Sequence, residues 1–171
     1  MKSYAVLLAL ATGAFAIGTT EFTPMGLLPV IANGVDVDIP AAGLLVSAYA
    51  MGVMVGAPVM TLLFSRFGKR NALMALMVLF TIGNLLSAMA PSYTTLLLSR
   101  SVTSLNHGAF FGIGAVVAAS VVPKDKQASA IAAMFMGLTI ANIGGVPIAT
   151  WLGQQLGWRM AFAATAALGL L

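Results

Sequence analysis

Cysteine is absent from the 171 residues and histidine occurs once. The first absence excludes disulfides, thiolate metal sites and cysteine nucleophiles; the second excludes a multi-histidine metal centre. Charge is scarce as well: 7% of residues are Asp, Glu, Lys or Arg, against about a quarter in an ordinary soluble domain. The net charge of +4 rests on eight scattered Lys and Arg, which argues against nucleic acid as a partner. No G-x-S-x-G elbow is present and His107 is the sole histidine base, so an enzyme such as a membrane hydrolase is disfavoured, and no cofactor is expected. Apolar residues are what the chain has in plenty. They make up 60% of it, with a mean hydropathy of +1.03, more than a small soluble fold can bury. That leaves a multispanning membrane protein whose first partner is the lipid bilayer.

A spanning helix needs about 20 mostly apolar residues. The windows 5–32, 41–63, 72–90, 95–121, 128–152 and 160–171 meet or begin to meet that requirement, and within them only Glu21 and Arg100 are charged. The runs do not alternate apolar with polar residues, so helices are expected rather than barrel strands. The fold class is therefore an all-α membrane protein. The sixth window has 12 residues, which rise about 18 Å against a hydrocarbon core of ~30 Å, so the sixth helix is expected to be truncated. On that reading the chain is a fragment or a truncated product. Lys2, Arg66, Lys69, Arg70, Lys124 and Lys126 fall on one side of alternating spans and Arg159 on the other, which predicts a cytoplasmic amino terminus. Met1–Ala16 imitates a signal peptide, but the apolar run continues past Ala16 and further spans follow.

Intramembrane charges are costly and usually functional. Glu21 sits among Thr19, Thr20 and Thr23, just before Pro24, which cannot donate to the Thr20 carbonyl; Pro29 does the same to Met25. The second half of this span is expected to be kinked or partly unwound, as at transporter sites. The alternative is a helix ending near Phe22, with Glu21 at the outer interface. Arg100 must find a partner, and Glu21 is the one acid available within a span; otherwise Arg100 snorkels to the surface. His107 follows by seven residues and shares its face, either as a structural histidine or as a proton carrier.

Small residues recur every four positions: Ala48, Gly52 and Gly56; Ser104, Gly108 and Gly112; Gly137, Ala141, Gly145 and Ala149. Such stripes let helices approach closely in lipid. On the fifth span Asn142, Gly144 and Pro147 interrupt the same helix, and bending is expected there. The loop Ser65–Arg70, SRFGKR, is short, basic and expected to turn at Gly68.

In this order and spacing the motifs resemble the major facilitator superfamily, in particular its drug:proton antiporter branch and the arabinose-efflux-permease-like proteins within it. Thr61–Leu73 is similar to the signature between spans two and three, keeping Arg66, Gly68, Lys69 and Arg70 but with Thr61 for Gly and Ser65 for Asp. Arg100 with Gly108 resembles the span-four arginine motif, and Gly137–Gly145 the antiporter motif of span five, with Asn142 where Pro is usual. Gly157-Trp158-Arg159 resembles the G-W-R before span six.

The resemblance implies the amino-terminal six-helix half of a two-half fold and proton-driven export of a small-molecule substrate. Protons and an absent carboxy-terminal half are thus expected partners, and the cell inner membrane the expected location. It implies a central cavity holding Glu21, Arg100, His107 and Asn142, and a conformational loop of Arg66, Gly68, Lys69 and Arg70. The glycines of span five would form a bending seam against the absent half. A non-transporting membrane interaction subunit is the alternative.

Overall fold

The structure, a computed structural model, describes residues 2–171; the side chain of Lys2, counted above among the basic residues, lies outside the described residues. All regular structure among them is helical: α1 Lys2–Gly34, α2 Ile39–Phe64, α3 Lys69–Ala88, α4 Tyr93–Ser120, α5 Gln127–Ile140, α6 Val146–Leu156 and α7 Trp158–Leu168. A short 3₁₀ turn, Lys124–Lys126, leads into α5, and a π-helical segment, Ala141–Gly145, joins α5 to α6. Five stretches among the described residues are long and apolar enough to cross a membrane: Ser3–Gly34, Ile39–Phe64, Lys69–Ala88, Tyr93–Ser120 and Lys124–Leu156. The chain is a multi-pass membrane protein.

Local chemistry sets where the helices begin. The Asp38 carboxylate accepts from the Ala41 N–H at 2.7 Å, and Pro40 occupies the first turn of α2, where a missing N–H costs nothing. At α4, Ser92 and Thr95 form a reciprocal capping box. Gly157 turns the chain between α6 and α7 at φ 93°, a conformation that L side chains resist. Gly68 behaves otherwise than expected: its φ of −59° is open to any residue, so the basic loop does not depend on a glycine turn.

Helix α1 is central. It packs against α5, the π segment and α6 on one side and against α2 and α7 on others, while α4 lies between α2 and α3, and α3 also meets α7. The seams are lined by small residues, as lipid-embedded packing requires. Gly52 lies against Ser104, Gly56 against the Leu105 backbone and Gly108 against Ala57, closing α2 on α4. Gly137 lies against the Ala11 carbonyl, Gly18 against Leu138 and Ala141, and Gly145 against Thr19 and Phe15.

Three expectations change here. The stripe from Gly137 to Ala149 is not left facing an absent half; it is already occupied by α1. Gly112 and Gly144 take no part in the seams, since no atom of a neighbouring element lies within 4 Å of where a Cβ would sit. Helix α1 is not unwound: it runs unbroken through Pro24 and Pro29 and continues thirteen residues, about 20 Å, past Glu21. Glu21 is therefore not at the end of its helix.

Two apolar clusters fill the interior. Leu10, Ile17, Leu76, Phe80, Phe110 and Met134 belong to one; Leu27, Ile31, Leu45, Leu96, Trp158 and Phe162 belong to the other. Along α1, α3 and α4 the residues between the clusters are polar and buried: Thr19, Thr20, Thr23, Asn84, Ser87, Ser99, Arg100, Thr103 and Ser104. This polar layer carries the candidate site.

Candidate functional site

Arg100 lies two turns into α4, where the capping box starts the helix, and it is 1% exposed. Snorkelling is thereby excluded. Its guanidinium donates from Nη2 to the Thr20 carbonyl at 2.9 Å and from Nη1 to the Thr20 hydroxyl at 3.1 Å. The Thr20 hydroxyl in turn donates to Asn84 Oδ1, and Asn84 Nδ2 donates to the Phe80 carbonyl. The Thr20 carbonyl is the one that Pro24 deprives of its intrahelical donor. Arg100 supplies the missing donor from the neighbouring helix, which is how α1 passes a proline without opening. Flat aromatic faces cover the cation, with Tyr49 at 4.4 Å and Phe162 at 5.4 Å.

The expected partnership of Arg100 with Glu21 is not what forms. Consecutive helical residues point about 100° apart. Thr20 turns toward Arg100 and Asn84, whereas Glu21 turns toward His107, with Oε2 3.9 Å from Nδ1. That contact is the one acid–base pair of ion-pair range among the described residues. The Tyr49 hydroxyl lies 3.3 Å from the same Nδ1, with the Tyr49 and His107 rings edge to face. Phe111 packs on the His107 ring with centroids 5.1 Å apart, and Phe135 of α5 stacks on Phe111. The Glu21 side chain is 26% exposed and that of His107 14%.

Other expected site residues lie apart from this group. Asn142 is exposed in the π segment and donates to the Leu138 carbonyl of its own helix at 3.1 Å; it is not joined to the Glu21–His107 pair. Pro147 is exposed at the start of α6, next to the π segment. A π segment widens the helix by one residue, so the irregularity expected near Asn142 and Pro147 takes this form. Arg66, Gly68, Lys69 and Arg70 are all exposed at the α2–α3 turn.

Sequence reasoning passed over Tyr49, Thr20 as a bonding partner, Asn84 and Asn106. Asn106 is fully buried, and neither end of its amide has a partner among the described residues. For Thr20 a signal existed: a proline four residues later marks its carbonyl as unsatisfied. Arg159 donates to the Ala90 carbonyl at 2.8 Å and lies over the Trp158 ring at 4.1 Å.

Residues 10–171 match the family profile of the Major Facilitator Superfamily. The inner membrane transport protein YdhP of Escherichia coli is 73% identical over 171 residues, 100% of this chain and 44% of YdhP. A probable sugar efflux transporter of Pasteurella multocida is 35% identical across 99% of this chain and 43% of its own length. Among solved structures, the inward-open xylose transporter XylE of E. coli gives a TM-score of 0.79 at 17% identity, over 98% of this chain and 46% of XylE. At that identity the likeness speaks for the fold. The chain spans less than half the length of these relatives.

Proposed function

The chain belongs to the Major Facilitator Superfamily, and on that premise we propose that it forms one half of a secondary transporter that exports a small organic solute in exchange for protons. The solute leaves chemically unchanged, by alternating access, through a cavity that this half shares with a second six-helix half. Sugar, nucleoside and drug-like solutes fit this reading, and the sugar efflux relative supports the direction of transport. The inner membrane is the proposed location, in keeping with YdhP, with the amino terminus in the cytoplasm. Arg66, Gly68, Lys69 and Arg70 would then form a cytoplasmic loop that changes contacts as the halves rock. Asn142 would line the cavity from the π segment.

The observation that carries the proposal is Glu21: an acid well inside a membrane helix, with a side chain that stays partly exposed and is not hydrogen-bonded to the buried Arg100. An intramembrane carboxyl that water can reach is able to take up and release a proton. Two measurements test the proposal. In everted vesicles carrying the transporter with both halves, Glu21→Gln should abolish solute flux driven by a pH gradient while solute binding persists; wild-type flux would overturn the assignment. This half has no cysteine, so Asp36→Cys and Lys69→Cys each place one label in it, read on intact cells against a control without the added cysteine. An impermeant maleimide should reach the first and not the second; equal labelling overturns the topology.

A further inference from the structure

We propose that Glu21 and His107 work as a single proton-binding unit, in which Nδ1 of His107 answers in turn to the Glu21 carboxyl and to the Tyr49 hydroxyl. The inference rests on reading Glu21 as the acid that exchanges protons, and adds the base with which it shares them.

The geometry concentrates three groups on one nitrogen. Nδ1 lies 3.3 Å from the Tyr49 hydroxyl and 3.9 Å from Glu21 Oε2. A ring nitrogen either accepts a hydrogen bond or donates one, according to whether it carries a proton. While the carboxyl holds the proton, Nδ1 accepts from the Tyr49 hydroxyl. When the proton passes from the carboxyl to Nδ1, an imidazolium faces a carboxylate, and the Tyr49 O–H turns away because the protonated Nδ1 no longer accepts from it. The 3.9 Å separation is one that a bridging water spans. No proton is gained or lost in that transfer; exchange follows through water on the open side of the pair.

The other buried charge near the pair is Arg100, which lies 4.4 Å over the Tyr49 ring and is close enough to act through space on Glu21. Of the elements packed on α4, α1 presents Glu21 and α2 presents Tyr49. The ionisable residues of α3 are Lys69 and Arg70, in its exposed first turn, and α5 has none. On α4 itself Arg100 is bonded to Thr20, and the one ionisable residue of α7, Arg159, is bonded to the Ala90 carbonyl. Phe111, backed by Phe135, holds the His107 ring, so its Nδ1 edge keeps facing Glu21 and Tyr49. The Glu21 and His107 side chains are partly exposed, whereas Arg100 and Tyr49 are buried.

This half has one histidine and one intramembrane acid, so the histidine signal is identified by its loss in His107→Gln. In the protein reconstituted in lipid, the histidine ring is titrated by NMR and the Glu21 carboxyl by its infrared carbonyl band, identified by its loss in Glu21→Gln. The histidine midpoint should move by about one pH unit or more in Glu21→Gln, and the carboxyl midpoint by the same amount in His107→Gln. The two shifts are equal because coupling is reciprocal. Tyr49→Phe, which keeps the ring under Arg100, should move both midpoints.

Unmoved midpoints, or a shift in one arm without its equal in the other, overturn the unit. Where His107→Gln does not fold, the histidine titration in Glu21→Gln decides alone, since it reads the same coupling. Independent titration together with lost flux in Glu21→Gln would sink this inference and spare the transport reading. Coupled titration with unaltered flux would do the reverse.

Discussion

Thr20 and Glu21 are neighbours on α1, yet they belong to two differently built regions. Thr20 faces an enclosed layer in which Arg100, Asn84 and the freed carbonyl of α1 bond one another among buried side chains. Glu21 faces His107 across 3.9 Å, and both side chains are partly exposed. The enclosed side is bonded in one geometry, and breaking it exposes unsatisfied groups to an apolar interior. The other side holds an acid and an imidazole, the two groups proposed above to exchange a proton. The same stretch of helix can thus be fixed on one face and adjustable on the other. An arginine and an acid inside a membrane need not be each other's partner.

Arg100→Leu should break this comparison most severely. It strands the Thr20 carbonyl and leaves space where the guanidinium was, which should cost about 3–5 kcal/mol in reversible detergent unfolding. Wild-type stability in that variant would show that the enclosed layer does not depend on Arg100. Gly137→Leu attacks the closed side of α1 at another level, by pushing a side chain into the Ala11 carbonyl; a loss of about 1–3 kcal/mol is expected. Gly112→Ala, which meets open space, should show no such loss.

A sharper test adds Pro24→Ala to Arg100→Leu. The alanine returns an N–H to the Thr20 carbonyl and should recover about 1 kcal/mol. No recovery would mean that the proline-freed carbonyl is not what Arg100 serves. Glu21→Gln, on the open side, should change stability by no more than about 0.5 kcal/mol by the same measurement. A loss as large as that of Arg100→Leu would erase the distinction between the two faces.

Much of the architecture could be read from the residues. Long apolar runs with charges confined to their ends force backbone groups to bond within each segment, which makes helices the only open choice for these runs. Pro24 announced an unsatisfied carbonyl at Thr20, and seven-residue spacing put Arg100 and His107 on one stripe. Which helix each stripe would meet was not legible. Gly137, Gly145 and Ala149 mark a close approach in the sequence, but nothing in their spacing names α1 as the helix that fills it. Gly112 continues a stripe by spacing and yet touches nothing. Tyr49 gave no signal at all, being one aromatic residue in an apolar helix until the fold sets its ring beside Arg100 and His107.

By itself the sequence determined the membrane class, the helical form, the family and the presence of an unusual acid, arginine and histidine within spans. These follow from the cost of unpaired backbone and charge in lipid, which acts on each segment separately. The tertiary structure alone decided that Arg100 bonds to Thr20, that Glu21 meets His107, and that the fifth-span glycines close on α1. In a bilayer the lipid-facing side of a helix is as apolar as most of its core-facing side, so apolar periodicity alone does not mark the inward side. Pairing is then settled by packing and by the few polar groups that must find one another, and both depend on how the helices come together.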